Sequence, residues 1–263
     1  MDRIFRVDDQ GSRRYVVERG GVFYDLDGDL FAGYLLGRAL GSAAHGSLVP
    51  HGLRVLAPIV PSKIVAVGLN YRDHAAETGK QPPAEPMIFI KPSTAVIAPG
   101  DAIRIPPGVG RVDHEAELGV VIGKRASHVP REQALEHVFG LTCANDVTAR
   151  EMQRRGVQYS HCKGYDTFAP LGPCIATGLD PGDVTVEGWV NGERRQGSHT
   201  RELIFPVDAL IAYISAVMTL LPGDVVSTGT PAGIAPLAPG DTVTVRVSGV
   251  GELTNPVVAA ERE

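Results

Sequence analysis

Two glutamates separated by one residue are the side chains whose spacing most clearly suits a hard cation. They stand in Val112-Asp113-His114-Glu115-Ala116-Glu117-Leu118-Gly119-Val120-Val121-Ile122-Gly123. Leu118 to Ile122 has the unbroken apolarity of a buried strand, and side chains two apart on a strand point to one side. The carboxylates of Glu115 and Glu117 therefore face one point, where a divalent ion would relieve their repulsion. Glu-x-Glu also occurs on solvated strand faces. Here the strand runs on into residues apolar on both faces, and carboxylates that enter an interior need a partner.

A third acid follows another apolar run, Phe139-Gly140-Leu141-Thr142-Cys143-Ala144-Asn145-Asp146, and precedes a helix-like segment from Val147 to Arg155. Asn145 or Asp146 could cap that helix. At ~100° per residue, positions 146, 150 and 153 fall within about 60° of one another. Asp146, Arg150 and Gln153 would then share a face carrying one acid and two anion-binding groups. On this segment alone, a plain cap followed by ordinary surface charges is the commoner arrangement. In Asn70-Tyr71-Arg72-Asp73-His74-Ala75-Ala76-Glu77, His74 and Glu77 lie three apart on a helical turn and can touch. A carboxylate holding one imidazole nitrogen leaves the other free to take a proton from water; an exposed helical pair reads the same way.

Several other chemistries are missing from the sequence. Ser227-Thr228-Gly229-Thr230-Pro231-Ala232-Gly233 lacks the Gly-Lys-Ser/Thr of a nucleotide-phosphate loop, and Gly249-Val250-Gly251 lacks the third glycine of a dinucleotide site. No Gly-x-Ser-x-Gly elbow occurs. His161 and Cys162 are neighbours that would point apart in an extended chain. The three cysteines, Cys143, Cys162 and Cys174, form no CxxC pair, which fits a reducing cytoplasm better than a disulfide framework.

The elements that must position these residues are mostly strands. Four Pro-Gly-Asp turns, at Pro99, Pro181, Pro222 and Pro239, each precede a β-branched or alternating run: Ala102 to Ile105, Val184 to Val190, Val225 to Thr228 and Thr242 to Val247. Ile64 to Val67 reads as a further buried strand. Helical periodicity is local, at Arg131 to Val138, Val147 to Arg155 and Val207 to Leu221. With 31 glycines and 20 prolines in 263 residues, many short strands are favoured over a few long helices, which predicts a β-rich α+β fold. Residues 1–57 carry strand-like pieces at Arg14 to Val17 and Gly21 to Asp25, then a Gly/Ala/Ser-rich stretch from Gly37 to Gly46. They read as a small N-terminal domain ahead of a main domain over 58–259.

The charge balance is −5, without any long Lys/Arg run, so nothing supports a nucleic-acid or anionic-membrane partner. Charges within the first nine residues break any secretion-signal core, and Ala209 to Leu221 is too short and too interrupted to span a bilayer. A small-molecule substrate in the cytoplasm is the expectation.

Taken in order and spacing, five segments resemble the fumarylacetoacetate hydrolase family over about Pro61 to Val258. They are Gly68 to His74, Asp113 to Leu118, Asn145 to Arg150, Lys163-Gly164-Tyr165-Asp166-Thr167-Phe168-Ala169-Pro170-Leu171-Gly172-Pro173, and Ser227 to Pro231. The resemblance implies a mixed β-sandwich roll, a homodimer, and a Mg²⁺ or Mn²⁺ site with Glu115, Glu117 and Asp146 as ligands and Lys163 beside the ion. It makes His74 and Glu77 a water-activating pair on a mobile lid, and Arg150, Gln153 and Thr230 the groups that hold the acidic end of the substrate. His114 stands where many relatives carry an aromatic residue.

The activity so implied is hydrolytic cleavage of a carbon–carbon bond in an anionic 2,4-dioxo acid of the acylpyruvate or fumarylpyruvate type, by way of a metal-stabilised pyruvate enolate. The same enolate chemistry serves an isomerase of a 2-hydroxydiene dicarboxylate or a decarboxylase of a 2-oxo dicarboxylate. A non-catalytic binder of small dicarboxylates is the reading from another class.

Overall fold

In the computed structural model, residues 1–26, 30–31, 43–44, 53–155 and 158–261 are described. Most of the Gly37 to Gly46 stretch therefore lies outside the described residues. The fold is β-rich. Its largest sheet is built on an antiparallel pair, Ala116–Ile122 against Val138–Asn145, whose register sets Ala116 opposite Asn145 and Glu117 opposite Ala144. On one side Val225–Ser227 pairs antiparallel to the first strand, Ile64–Gly68 runs parallel to Val225–Ser227, and Met87–Lys91 closes the edge. On the other side comes Ala169–Ala176, followed by the N-terminal strands Arg3–Asp9, Ser12–Arg19 and Val22–Leu26. The N-terminal segment is thus hydrogen-bonded into the main sheet through Arg3 and Ile4.

A second, five-stranded sheet carries Thr185–Val190, Glu193–His199, Thr242–Val247, Gly251–Ala259 and Ile103–Ile105. It stacks on the first through one apolar cluster. Leu118, Val120 and Ile122 of the first sheet meet Val186, Val245 and Val247 of the second, and the helix Val207–Val217 adds Leu210, Ile211 and Ile214. Period-two alternation puts Val121 on the opposite face, in a separate cluster with Ile175 and Val225. Glu117 shares the parity of Val121, so its carboxylate leaves the sheet away from the inter-sheet core. No helix among the described residues is long and apolar enough to cross a membrane.

The Pro-Gly-Asp turns work as expected at three of their four sites. Gly100, Gly223 and Gly240 take φ of 81°, 89° and 100°, whereas Gly182 stays out of the left-handed region. In those three turns the Asp carboxylate also accepts the backbone N–H three residues back: Ala98 N to Asp101 at 3.0 Å, Leu221 N to Asp224 at 2.8 Å and Ala238 N to Asp241 at 2.7 Å.

Three helices differ from expectation. The segment from Val147 is extended at first: Thr148 and Ala149 pair with Asp113 and Val112, and only Arg150–Arg155 is helical. Asp146 is therefore not a helix cap; its N–H is taken by Glu115 O at 2.9 Å. The long-range pairing outcompetes three residues' worth of local helix. Arg131–His137 is 3₁₀ rather than α, and the helix from Val207 stops at Val217 because Met218 turns extended and Leu220 bridges to Ala126.

Among the turn aspartates, Asp224 is fully buried and also accepts from Ser62 Oγ at 2.5 Å and from the Lys63 ammonium. Asp224→Ala should lower unfolding free energy by about 3 kcal/mol, against about 1 kcal/mol for Asp241→Ala, in parallel denaturant titrations.

Candidate active site

The strand pair at the centre of the main sheet ends in the acids. Glu115 precedes Ala116, Glu117 is the second residue of that strand, and Asp146 directly follows Asn145 on its partner. One carboxylate oxygen from each of Glu115, Glu117 and Asp146 lies within 4.8 Å of the others, and all three residues are buried. Asn145 fixes the approach by accepting the Glu115 N–H at 3.0 Å through Oδ1.

Cations are matched to all of these carboxylates but one. Lys163, at the end of the short helix Ser160–Lys163, donates from Nζ to Glu115 Oε2 at 2.7 Å, Asp146 Oδ2 at 2.5 Å and Thr148 Oγ1 at 2.8 Å, and lies 5.1 Å from the centre of the Phe89 ring. Lys91 reaches the other Asp146 oxygen. Arg150 bonds Glu115 Oε1 and, at 2.8 Å, Asp113 Oδ2, and Asp113 also pairs with Arg111 at 2.6 Å. Glu117 has no cation partner among the described residues. Its Oε2 accepts only from Ser227 Oγ at 2.5 Å and from Gly229 N at 3.0 Å.

The proton affinities follow this pairing. Burial, then the charges of Asp146 and Glu115, push Glu117 up to about 8. Burial would also raise Glu115, but Lys163 and Arg150 outweigh it and hold that carboxyl well below the usual range. Burial opposes the charge on Lys163, yet Asp146 and Glu115 keep its pKa above that of an ordinary lysine, so it stays an ammonium. At Lys91 burial wins and the pKa falls. Three converging carboxylate oxygens, one lacking any counter-charge, are a donor set that fits a divalent Mg²⁺- or Mn²⁺-type ion.

The second constellation is also assembled. His74 and Glu77 lie on the helix Arg72–Glu77, with His74 Nδ1 3.1 Å from Glu77 Oε2, and His74 is 8% exposed. Glu77 Oε1 in turn accepts Gly233 N at 3.1 Å. Gly233 has φ of 97°, and a Cβ there would lie 2.0 Å from Arg195 O, so a side chain would displace the loop that holds Glu77. His74, Glu115, Glu117, Lys163 and Thr230 line one cavity of about 320 Å³, together with Arg150 and Gln153.

The anion-binding residues are placed less simply. Arg150 is engaged on Asp113, Glu115 and, at 3.0 Å, Gln153 Oε1, which leaves the Gln153 amide nitrogen free of that bond. The Thr230 hydroxyl donates to Ala116 O at 2.9 Å and accepts from Gln196 Nε2 at 2.8 Å, so its proton is already committed. His114 is buried, and burial lowers its pKa to about 4. Gln196 uses its amide on Ala116 N, Thr230 Oγ1 and Pro231 O, and among the described residues neither His114 ring nitrogen has a hydrogen-bond partner. Sequence reasoning missed Lys91, Asp113, Ser227 and Gly229 as parts of the site. Lys91 carried one signal, a lone charge ending the apolar run Met87 to Ile90; Asp113 stood two residues before Glu115 in the same motif.

The profile of the fumarylacetoacetate (FAA) hydrolase C-terminal domain matches residues 63–258. The chain belongs to the fumarylacetoacetate hydrolase family. Among solved structures of this family's fold, 5-carboxymethyl-2-hydroxymuconate delta-isomerase from Mycobacterium smegmatis is 42% identical, with a TM-score of 0.86 over 99% of this chain and 100% of that one. Maleylpyruvate hydrolase from Sphingobium sp. SYK-6, in complex with manganese(II) and pyruvate, is 32% identical, with a TM-score of 0.82 over 98% and 100%. A mitochondrial oxaloacetate tautomerase of Xenopus laevis is 42% identical over 219 residues, covering 78% of this chain and 69% of the relative.

Three outcomes follow for this family member. Lys91→Met strips Asp146 of one of its two ammonium partners and should destabilise the ion-free protein by about 2–3 kcal/mol, a loss that shrinks when Mn²⁺ is added in thermal unfolding. In the ion-free protein, Glu117 binds its proton more tightly folded than unfolded, so its contribution to stability is full below about pH 4.5 and is lost as pH rises through about 8. Mn²⁺ affinity should rise over the same range and level off above about 8, with about one proton released per ion at pH 7, read by calorimetry in buffers of different ionisation enthalpy.

Proposed function

We propose that this protein is a Mg²⁺- or Mn²⁺-dependent hydrolase that cleaves a carbon–carbon bond in a 2,4-dioxo acid of the acylpyruvate type. The observation that carries the reading is His74, held through Nδ1 by Glu77, lining the same cavity of about 320 Å³ as Glu115 and Glu117. A divalent ion held by Glu115, Glu117 and Asp146 would supply Lewis acidity to the 2-oxo acid end of the substrate.

The remaining work falls to the chain's own groups. Arg150 and the Gln153 amide orient the substrate carboxylate. Glu77 holds His74 through Nδ1, so Nε2 is the nitrogen that takes a proton from water. The water oxygen adds to the distal carbonyl carbon, and the bond between that carbon and the methylene carbon breaks. The acyl part departs as a carboxylic acid, and the methylene carbon receives a proton to give pyruvate. Lys163, held as an ammonium, offsets negative charge as it develops on the pyruvyl oxygens.

A second reading, isomerisation or keto–enol tautomerisation of a 2-oxo dicarboxylate, is supported by likeness to the isomerase and to the tautomerase, each at 42% identity. It needs proton transfer at the carbon beside the 2-oxo group and no water addition.

The two readings separate on the ultraviolet absorbance of enolised acetylpyruvate, fumarylpyruvate and oxaloacetate, followed with Mg²⁺, Mn²⁺ or EDTA and with products identified. Hydrolysis predicts metal-dependent pyruvate release from the first two. His74→Ala should then lower kcat by about 10²–10⁴-fold while Mn²⁺ affinity is retained. Interconversion of oxaloacetate tautomers without pyruvate from either acylpyruvate would replace hydrolysis by the second reading.

A further inference from the structure

Beside the cavity holding the acids lies a larger chamber of about 770 Å³, and the two share Lys80, Met87, Gln153, Arg154 and Tyr159 in their walls. Charge is distributed unevenly between them. In the inner cavity the cations Arg111, Arg150 and Lys163 are each paired with carboxylates. Lys80 and Arg154, on the shared wall, form no ion pair or side-chain hydrogen bond among the described residues. Among the described residues, no aspartate or glutamate lines the outer chamber. Between its polar groups the wall is apolar: Met87, Ile88 and Ile90, with Phe89 and Tyr159 in edge-on contact at 5.2 Å between ring centroids.

These positions give two exposed positive charges, without an ionic partner among the described residues, on the wall that the two cavities share. We propose that Lys80 and Arg154 read a second carboxylate at the far end of the substrate, making them specificity determinants for 2-oxo dicarboxylates over monocarboxylates. The proposal rests on the reading above that the 2-oxo acid end sits at Glu115, Glu117 and Asp146. A dicarboxylate would place its 2-oxo acid end there, run its carbon chain past Met87 and Tyr159, and bring its distal carboxylate to the shared wall. An ammonium and a guanidinium without internal partners lose no existing bond on receiving it, and charge-assisted bonds there are stronger than neutral ones. A monocarboxylate of equal length would leave both cations facing an apolar chain end.

The test uses 2-oxoadipate and 2-oxohexanoate, which have the same chain length and differ in the second carboxylate. Neither has the 4-oxo group that hydrolysis requires. Binding to the Mn²⁺-loaded protein is measured by calorimetry for the wild type, Lys80→Met, Arg154→Met, the double variant and Lys80→Arg. The wild type should bind 2-oxoadipate at least about tenfold more tightly. That preference should fall toward one in the double variant and persist in Lys80→Arg, where the charge is kept. Equal binding of both ligands by the wild type, or a preference that survives in the double variant, overturns the distal subsite and leaves the inner reading in place. Failure of the wild type to bind either ligand overturns the inner reading, and the subsite with it.

Discussion

The arrangement depends on one electrostatic constraint: buried carboxylates gathered at the ends of two neighbouring strands, with internal cations for all but Glu117. Converging acids repel, and burial makes the repulsion more costly than it would be in water. The protein meets it with Lys91 and Lys163 on the two oxygens of Asp146, Lys163 and Arg150 on Glu115, and Arg111 and Arg150 on Asp113. Glu117 receives only a hydroxyl and a backbone N–H, so its proton is retained to about pH 8. The charge left out of the internal pairing is the charge a divalent ion would bring.

Much of the surrounding architecture serves this placement. The register of Ala116–Ile122 against Val138–Asn145 brings the acids side by side, and the stacked second sheet supplies Gln196, whose amide ties Ala116 and Thr230 together from beneath. Because Leu118, Val120 and Ile122 are locked into the inter-sheet core, the alternation that directs Glu117 to the other face is fixed by packing. A slip of one residue would bury Glu117 among valines.

The sequence made the acid cluster legible because its information was local: two glutamates at strand spacing, and a third acid at the end of an apolar run. The same holds for His74 and Glu77, three residues apart on one helical turn. Lys163 was legible only through family resemblance, since nothing near it in the chain announces that its ammonium meets residues 48 and 17 positions away. Lys91 was missed for the same reason; its partner Asp146 is 55 residues distant. The start of the helix after Asp146 was misplaced because Thr148 and Ala149 are claimed by a strand more than thirty residues earlier, at Val112–Asp113. Local propensity loses to such pairing, and periodicity cannot register it.

The helix bearing His74 has six residues, too few to persist alone in water. It is held from outside: Arg72 bonds Leu203 O at 3.1 Å, and Glu77 reaches Gly233 in the loop that also supplies Thr230. The imidazole is therefore oriented only while helix and loop are clasped. Glu77 gives one oxygen to the ring and the other to Gly233, so the imidazole is braced from a loop 156 residues along the chain. A side chain introduced at Gly233, far along the chain from the helix, would therefore reach the imidazole through this brace.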